Sequence, residues 1–269
     1  MAALMVSMRT ITSRRHSLVL ACRRIASGRG DDGEILLDGE HLVDEAIAAR
    51  LPMKAVLVRE ADAPIATRAR GAGADVHVVT ADVIAAASPV RTPSGVVAIA
   101  QWRPRPLTDV LRSATSLVLA LIDVQDPGNV GSVVRSADAL GAAAVVAAGA
   151  SADPGGWRAL RAAMGSTFRV PVCRATVDTL LDEARAHRAR LVATTIGDGE
   201  RLDRLRVDGL TVVMLGNEGT GLPDAVIRGA NARLQVPMRP GVNSLNVAVT
   251  AALILYEAGR GDPARQLRA

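Results

Sequence analysis

The most constraining feature of this sequence is an apolar run, Leu117–Ile122, which is followed by the polar turn Asp126-Pro127-Gly128-Asn129. A short, wholly apolar run predicts a strand buried on both faces. Beyond the turn, apolar residues recur at three- and four-residue spacing over 130–140, which predicts a helix with one apolar face. This unit predicts an α/β fold with Asn129 and Arg135 near the carboxyl edge of a sheet, where such folds bind ligands. A capped helix with a solvated arginine would give the same pattern.

Two later stretches also join a short apolar strand to a polar loop. Residues 212–223 read VVMLGNEGTGLP and residues 234–247 read LQVPMRPGVNSLNV. With the first stretch they resemble the three sequence motifs of the SpoU (TrmH-type) RNA 2′-O-ribose methyltransferases. The matching patterns are D-P-x-N-x-G-x-x-x-R, G-N-E-G-x-G-L and P-M-x-x-x-x-x-S-L-N-V, in the family's order. The resemblance covers most of residues 117–258.

This resemblance implies an S-adenosylmethionine-dependent enzyme that methylates a ribose 2′-hydroxyl in RNA. It also implies an α/β-knot, a parallel sheet whose C-terminal segment forms a trefoil knot, and a homodimer assembled through this C-terminal domain. General topology rules would not predict a knot, so this expectation comes from the resemblance alone. Ribosomal RNA is the favoured substrate because of the type of N-terminal domain, and transfer RNA is the alternative.

The family's reacting centre maps onto five polar residues of this chain, Asn129, Arg135, Glu218, Ser244 and Asn246. We expect Arg135 to bind the phosphate beside the target ribose, because a guanidinium gives up its proton too reluctantly to act as an unaided base. Loss of the hydroxyl proton would then be assisted by that phosphate or by Glu218. The two asparagines would brace the loops and the hydroxyl. Ser244 and Asn246 could equally cap the last helix.

The family binds its cofactor mainly through backbone groups of several loops. By resemblance these groups belong to Thr194, Thr195, Leu215, Gly216, Asn217, Val236, Pro237, Met238 and Leu245. The glycines at 216, 219 and 221 would let the backbone approach an adenosyl group closely. A tight turn that needs positive φ would also explain them.

The N-terminal part alternates short strands with helices and predicts a small α/β domain. Residues 36–43 (LLDGEHLV) and 91–98 (RTPSGVVA) resemble the substrate-recruiting domain that often precedes the SpoU domain, itself similar to a ribosomal protein of the large subunit. The proline-rich segment 101–106 (QWRPRP) breaks every periodicity. We therefore predict an RNA-binding domain at 1–103, a linker at 104–116 and a methyltransferase domain at 117–269.

The charge of the chain favours an acidic partner such as RNA. Its formal net charge is +5, Lys54 is the only lysine, and residues 1–30 hold several arginines and no acid. Codon bias towards Ala, Gly, Arg and Val would explain most of this arginine content. Few aromatic residues are present, so contacts to the RNA backbone are expected in preference to base stacking. A basic amphipathic helix is predicted to end near Ser27. The arginines predicted to bind RNA lie on or beside this helix and are Arg9, Arg14, Arg15 and Arg29. A helix face that is merely solvated would explain the same charges.

Other classes of protein fit this sequence less well. Cys22 and Cys173 stand alone without histidines at ligand spacing, so we expect neither a disulfide framework nor a metal site. Two isolated cysteines also indicate a cytoplasmic location. No apolar run is long enough to span a membrane. The glycine spacing does not match the dinucleotide-binding pattern of a Rossmann oxidoreductase. A non-catalytic RNA-binding protein with a relic methyltransferase domain remains an alternative.

Overall fold

The computed structural model describes residues 10–60, 63–242 and 244–260. Contacts divide the chain into two compact units. The first unit contains the chain up to Arg103 together with Gly155–Arg161, and the second contains Pro104–Pro154 and the chain from Ala162 onwards.

The first unit alternates helices with strands, as the sequence predicts. Its elements are α1 (Ser17–Ala26), β1 (Glu34–Asp38), α2 (Glu40–Ala48), β2 (Met53–Val58), α3 (Pro64–Gly71), β3 (Asp75–Val78), α4 (Ala81–Ala87) and β4 (Val96–Gln101). The strands form a mixed sheet in the order β1-β4-β2-β3, in which only β2 and β3 pair in parallel. Helix α1 buries Val19 and Cys22 in an apolar cluster of this unit and leaves its arginines exposed. The predicted amphipathic helix is therefore confirmed.

The second unit contains a larger α/β arrangement. Its elements are α5 (Leu107–Ser113), β5 (Leu117–Ile122), α6 (Pro127–Leu140), β6 (Ala144–Ala148), α7 (Trp157–Ala163), which it shares with the first unit, β7 (Val172–Ala175), α8 (Val177–Ala186), β8 (Arg190–Thr194), β9 (Glu200–Arg201), β10 (Thr211–Leu215), α9 (Asp224–Arg228), β11 (Ala232–Gln235) and α10 (Val247–Arg260). Short 3-10 turns follow α7 and β9. The predicted strands are present within two residues of their expected bounds, and β9 is an addition.

Part of the stretch predicted as a linker, 104–116, is helical. Helix α5 buries Leu107, Val110 and Leu111 in the apolar cluster of the second unit. The prolines that suggested a connector precede this helix and do not interrupt it. The adjacent Arg105 also donates a backbone hydrogen bond of 2.8 Å to Val172, so this stretch is integrated into the second unit.

The seven strands of the second unit form one parallel sheet in the order β7-β6-β5-β10-β8-β11-β9. Strand β5 pairs with β6 on one side and with β10 on the other, although β10 comes much later in the chain. After β5 the chain thus builds the sheet outwards through β6, and it later returns to add β10 on the opposite side of β5. Such a reversal opens a crevice at the carboxyl ends of the strands, where α/β proteins bind ligands.

The last helix, α10, carries apolar side chains on most of its surface and therefore needs covering on more than one side. Its packing partner is α6, and the buried side of α10 consists of Val247, Ala251, Ile254 and Leu255. Other large apolar side chains of the same helix are exposed, namely Val249, Leu253 and Tyr256. The fold of a single chain therefore covers only one side of this helix.

Candidate active site

A cavity of about 310 Å³ lies at the carboxyl edge of the parallel sheet. Its walls come from the ends of β8, β10 and β11, from the loops that follow them, and from the first turn of α10. These strands are adjacent in the sheet, so segments far apart in the chain meet at one place. The volume falls within the range of roughly 300 to 1,000 Å³ that is typical of small-molecule sites.

The structure brings most of the predicted cofactor-binding residues into the wall of this cavity. They are Thr194, Thr195, Leu215, Gly216, Asn217, Val236, Met238 and Leu245. Pro237 is exposed and is not among the described lining residues, although its neighbours on both sides are. Because neighbouring residues of an extended segment face opposite ways, this proline falls on the outer side.

The glycine-rich loop of residues 216–221 closes on itself at the cavity. Asn217 and Gly221 exchange two backbone hydrogen bonds of 3.2 and 2.9 Å. A Cβ atom at Gly216 would lie 2.3 Å from the backbone carbonyl carbon of Gly221, which excludes any side chain there, and Gly221 has a φ of +71°. The tight-turn explanation therefore applies to Gly216 and Gly221, whereas close approach of this backbone to an adenosyl group stays a prediction.

Three of the predicted reacting residues form one hydrogen-bonded chain. The Nδ2 of Asn246 donates to Oδ1 of Asn129 at 2.9 Å, and the Nδ2 of Asn129 donates to Oε1 of Glu218 at 2.6 Å. The Oδ1 of Asn246 also accepts hydrogen bonds from the backbone N–H groups of Ala248 and Val249, so the expected capping of α10 is present. Each of the three sequence motifs thus contributes one residue to this chain.

The helix that carries Asn129 begins as the sequence predicts. Asp126 accepts a hydrogen bond of 2.8 Å from the backbone N–H of Gly128, Pro127 occupies the first turn, and Gly141 ends the helix in a left-handed conformation. These are the usual start and stop signals of an α-helix. They fix Asn129 in the first turn, at the sheet edge beside the cavity.

Arg135 and Ser244 lie outside this chain. Arg135 is exposed on α6, and no described residue forms an ion pair with it. Ser244 lines the cavity and is exposed. The fold therefore leaves both side chains free to meet a ligand that approaches from solvent.

The cavity carries a single charged side chain. Among the described residues that line it, only Glu218 is ionisable, and the remaining walls are apolar side chains, uncharged polar side chains (threonines, Asn217 and Ser244) and backbone groups. A site of this composition complements a ligand with an apolar body and a positive charge. Phosphate-rich ligands would meet a carboxylate and no cation inside the cavity.

Some lining residues were missed by the sequence analysis, among them Ile196, Leu222 and Thr250. Leu222 is the final residue of the matched G-N-E-G-x-G-L pattern, and its position in a motif could have indicated it. Thr250 donates to the carbonyl of Asn246 and lies one turn into α10, so its helical spacing from the third motif was a usable signal. Ile196, two residues beyond β8, had no such signal.

The predicted RNA-binding arginines are exposed where the structure describes them. Arg14 and Arg15 precede α1, and no described carboxylate pairs with either. Arg29 follows the helix and donates to the hydroxyl of Ser27, whereas Arg9 lies outside the described residues. By contrast, Arg24 is engaged by Asp31 and Glu34 and is less available to a partner.

No described cluster of histidines, cysteines and acids could hold a metal ion, and no described helix has the length and apolarity needed to cross a membrane. Cys22 and Cys173 are free and buried. Burial raises the pKa of each thiol from 9.0 to about 12, so both stay protonated near neutral pH.

The fold and the site together define a two-unit α/β protein with a ligand cavity at the carboxyl edge of a parallel sheet. Residues 116–256 match the model of the SpoU rRNA methylase family, and residues 23–98 match that of the MRM3-like substrate binding domain. The chain therefore belongs to the SpoU rRNA methylase family, as its motifs predict.

Individual relatives are similar to this chain along most of its length. The 23S rRNA (guanosine(2553)-2'-O)-methyltransferase RlmP of Bacillus subtilis is 33% identical over 82% of this chain and 86% of its own. The crystal structure of an AdoMet-bound rRNA methyltransferase from Sinorhizobium meliloti superposes with a TM-score of 0.84 at 29% identity, covering 94% of this chain and 98% of that one. The SpoU methyltransferase AviRb from Streptomyces viridochromogenes, solved with AdoMet, gives a TM-score of 0.83 at 26% identity over 92% of this chain and 98% of its own.

Proposed function

We propose that this protein is an S-adenosylmethionine-dependent RNA methyltransferase that modifies a ribose 2′-hydroxyl, with ribosomal RNA as its substrate. The observation that carries this proposal is the juxtaposition of the cavity and the polar chain Asn246–Asn129–Glu218. Glu218 belongs to both, so a group bound in the cavity would lie beside the residues that handle the incoming hydroxyl. Membership of the family and the similarity to a 23S rRNA 2'-O-methyltransferase support the same chemistry.

The cavity fits S-adenosylmethionine in shape and charge. Its leucine, valine and methionine walls suit the adenine ring, and the backbone of residues 216–221 offers donors and acceptors to the polar parts of the cofactor. Glu218 would offer this cavity's one negative charge among the described lining residues to a cationic group such as a sulfonium. When bound, the cofactor supplies an electrophilic methyl group on this sulfonium.

The polar chain orients the nucleophile and assists the loss of its proton. Asn129 is held from both sides, so its side chain cannot rotate without breaking a hydrogen bond. A held amide can fix the approach of a hydroxyl, and correct alignment accounts for much of the rate of a displacement reaction. Glu218 or the adjacent RNA phosphate accepts the hydroxyl proton.

Arg135 binds the phosphate next to the target ribose. Its planar guanidinium matches phosphate oxygens, and it stands about two turns along α6 from Asn129 without a protein partner among the described residues. This arrangement draws the RNA backbone towards the reacting centre. Ser244 contributes a hydroxyl at the mouth of the cavity.

The proposal for RNA recruitment assigns residues 1–103 to substrate binding and 117–269 to catalysis, with 104–116, whose helix α5 packs on the second unit, as the linker between them. The exposed arginines 14, 15 and 29 would contact phosphates, together with Arg9. A ribosomal target is supported by the family of the N-terminal domain and by the relatives that modify 23S rRNA. Such a target, with two free cysteines, is consistent with a cytoplasmic location.

The catalytic unit forms a homodimer, and its C-terminal segment forms the trefoil knot of the family. The exposed face of Val249, Leu253 and Tyr256 on α10 supports the dimer, because an apolar stripe left open by a single chain commonly marks an interface. The close packing of α10 on α6 beside an all-parallel sheet is compatible with the knot.

The direct test is methyl transfer from radiolabelled S-adenosylmethionine to purified ribosomal RNA and, separately, to transfer RNA. Incorporation into ribosomal RNA as a 2′-O-methylated nucleoside is expected, and Glu218→Gln should reduce it strongly. Methylation of transfer RNA alone would replace the proposed substrate. Cofactor binding without transfer to either RNA would support the relic RNA-binding protein.

A further inference from the structure

Asp123 directly follows β5 and has a left-handed backbone conformation, with a φ of +57°. Non-glycine residues seldom occupy this region, and aspartate is among the few that tolerate it. A residue keeps such a conformation when its surroundings hold it there, and this happens most often near functional sites. Asp123 is not among the described residues that line the cavity, so its role must be sought in its contacts.

On one side, Asp123 is tied to the loop that follows β6. Its backbone N–H donates to the carbonyl of Ala148 at 3.2 Å, and its Oδ1 accepts from the N–H of Ala150 at 2.7 Å. Gly149 lies between these partners, and a Cβ atom there would stand 2.3 Å from the same Oδ1. The neighbouring loop is therefore shaped to admit this carboxylate.

On the other side, Asp123 is tied to the glycine-rich loop of the cavity. Its backbone carbonyl accepts a hydrogen bond of 2.9 Å from Nδ2 of Asn217. The Oδ1 of Asn217 in turn accepts from the N–H groups of Gly219 and Thr220, at 2.8 and 3.2 Å. The left-handed conformation aims the Asp123 carbonyl at this asparagine, so the carboxylate and the carbonyl of one residue connect two loops.

We infer that Asp123 is a positioning residue: its carboxylate, held by the β6 loop, fixes the direction of its carbonyl, which holds the glycine-rich loop in the shape that binds the cofactor. This inference rests on the proposed function, since it takes the ligand of the cavity to be S-adenosylmethionine. The same residue begins the segment that leads to Asn129.

Asp123→Gly separates this role from general stability, because glycine adopts the left-handed conformation freely but lacks the carboxylate. Asp123→Asn keeps an acceptor for Ala150 and tolerates the same φ. Calorimetry should show S-adenosylmethionine binding weakened about three- to tenfold in the glycine variant, the effect of one lost hydrogen bond, and nearly unchanged in the asparagine variant. The KM for RNA should stay unchanged in both.

Thr176→Ala is the matched control. It removes a side-chain acceptor for the backbone N–H of Thr179 at the same edge of the sheet, away from the cavity. Equal cofactor affinity in the wild type, the glycine variant and the control would overturn the inference, as would equal weakening in the control and the glycine variant. Absence of cofactor binding by the wild type would instead overturn the proposed function.

Discussion

Asn129 donates a hydrogen bond of 2.6 Å from its Nδ2 to Oε1 of Glu218, which lies 89 positions later in the chain. Asn129 lies in the first turn of α6, the helix that follows β5, and Glu218 belongs to the loop that follows β10. These strands are neighbours in the sheet, so the contact follows from the strand order. It joins the segment that we assign to the hydroxyl with the loop that we assign to the cofactor.

The first prediction concerns this contact. Asn129→Ala removes one partner from both Glu218 and Asn246, and methyl transfer should fall by about 10²-fold or more, since alignment of the nucleophile is lost. Cofactor affinity should stay within a few-fold, because Asn129 is not among the described lining residues. Steady-state kinetics and calorimetry measure the two effects. A double-mutant cycle with Glu218→Gln should be strongly non-additive, and additive losses would show that the two residues act independently.

The second prediction concerns Arg135. Since it is proposed to contact RNA and not the cofactor, Arg135→Ala should lower methyl transfer by roughly two orders of magnitude or more while S-adenosylmethionine affinity changes little. Arg135→Lys keeps the charge but not the planar fork, and should recover only part of the activity. Comparable losses of cofactor affinity and rate would contradict the assignment of this arginine to a phosphate.

The third prediction concerns the arginines before α1. Replacing Arg14 and Arg15 with alanine should weaken RNA binding and reduce the slope of log affinity against log salt by about 0.7 to 0.9 for each lost phosphate contact. Replacing Arg112 and Arg185 is the control, because it changes the net charge equally at exposed residues already paired with aspartates. Equal slopes for the two double variants would show that this RNA surface lies elsewhere.

The fourth prediction concerns the exposed face of α10. Leu253 is 38% exposed, so Leu253→Glu should leave the single chain folded but place a charge in the proposed dimer interface. Light scattering should report a monomer, with methyl transfer reduced.

The control is Leu20→Glu, which alters a leucine that is 51% exposed on α1 and should remain dimeric. Leu255 is fully buried and is unsuited to this test, because its replacement would disrupt the core of the chain itself. A dimeric Leu253 variant would refute this interface.

The fifth prediction concerns the two buried thiols. In the folded protein each thiol keeps its proton up to a pKa of about 12, whereas in the unfolded chain it loses the proton from about pH 9. The contribution of these thiols to the free energy of unfolding is therefore complete below pH 9 and is lost as the pH rises towards 12. Urea unfolding should show this alkaline loss, and Cys173→Ala should lessen it. At pH 8, a thiol reagent should modify neither cysteine until the protein unfolds.

The sequence by itself determined the local elements and the identity of the candidate site residues. The start of helix α6 could be placed because Asp126 and Pro127 act on their immediate neighbours. The strand β5 could be placed because an unbroken apolar run must be buried. The three motifs, each at the end of a strand, indicated the family before any contact was known.

Only the tertiary structure decided which of these segments meet. Hydrophobic periodicity says that β5 and β10 are buried, but not that β10 lies between β5 and β8, and this order brings Glu218 to Asn129. Periodicity likewise could not tell which side of α10 faces α6, or that Asp123 turns its carbonyl to Asn217. These features depend on contacts between residues far apart in the chain, which local propensity does not encode.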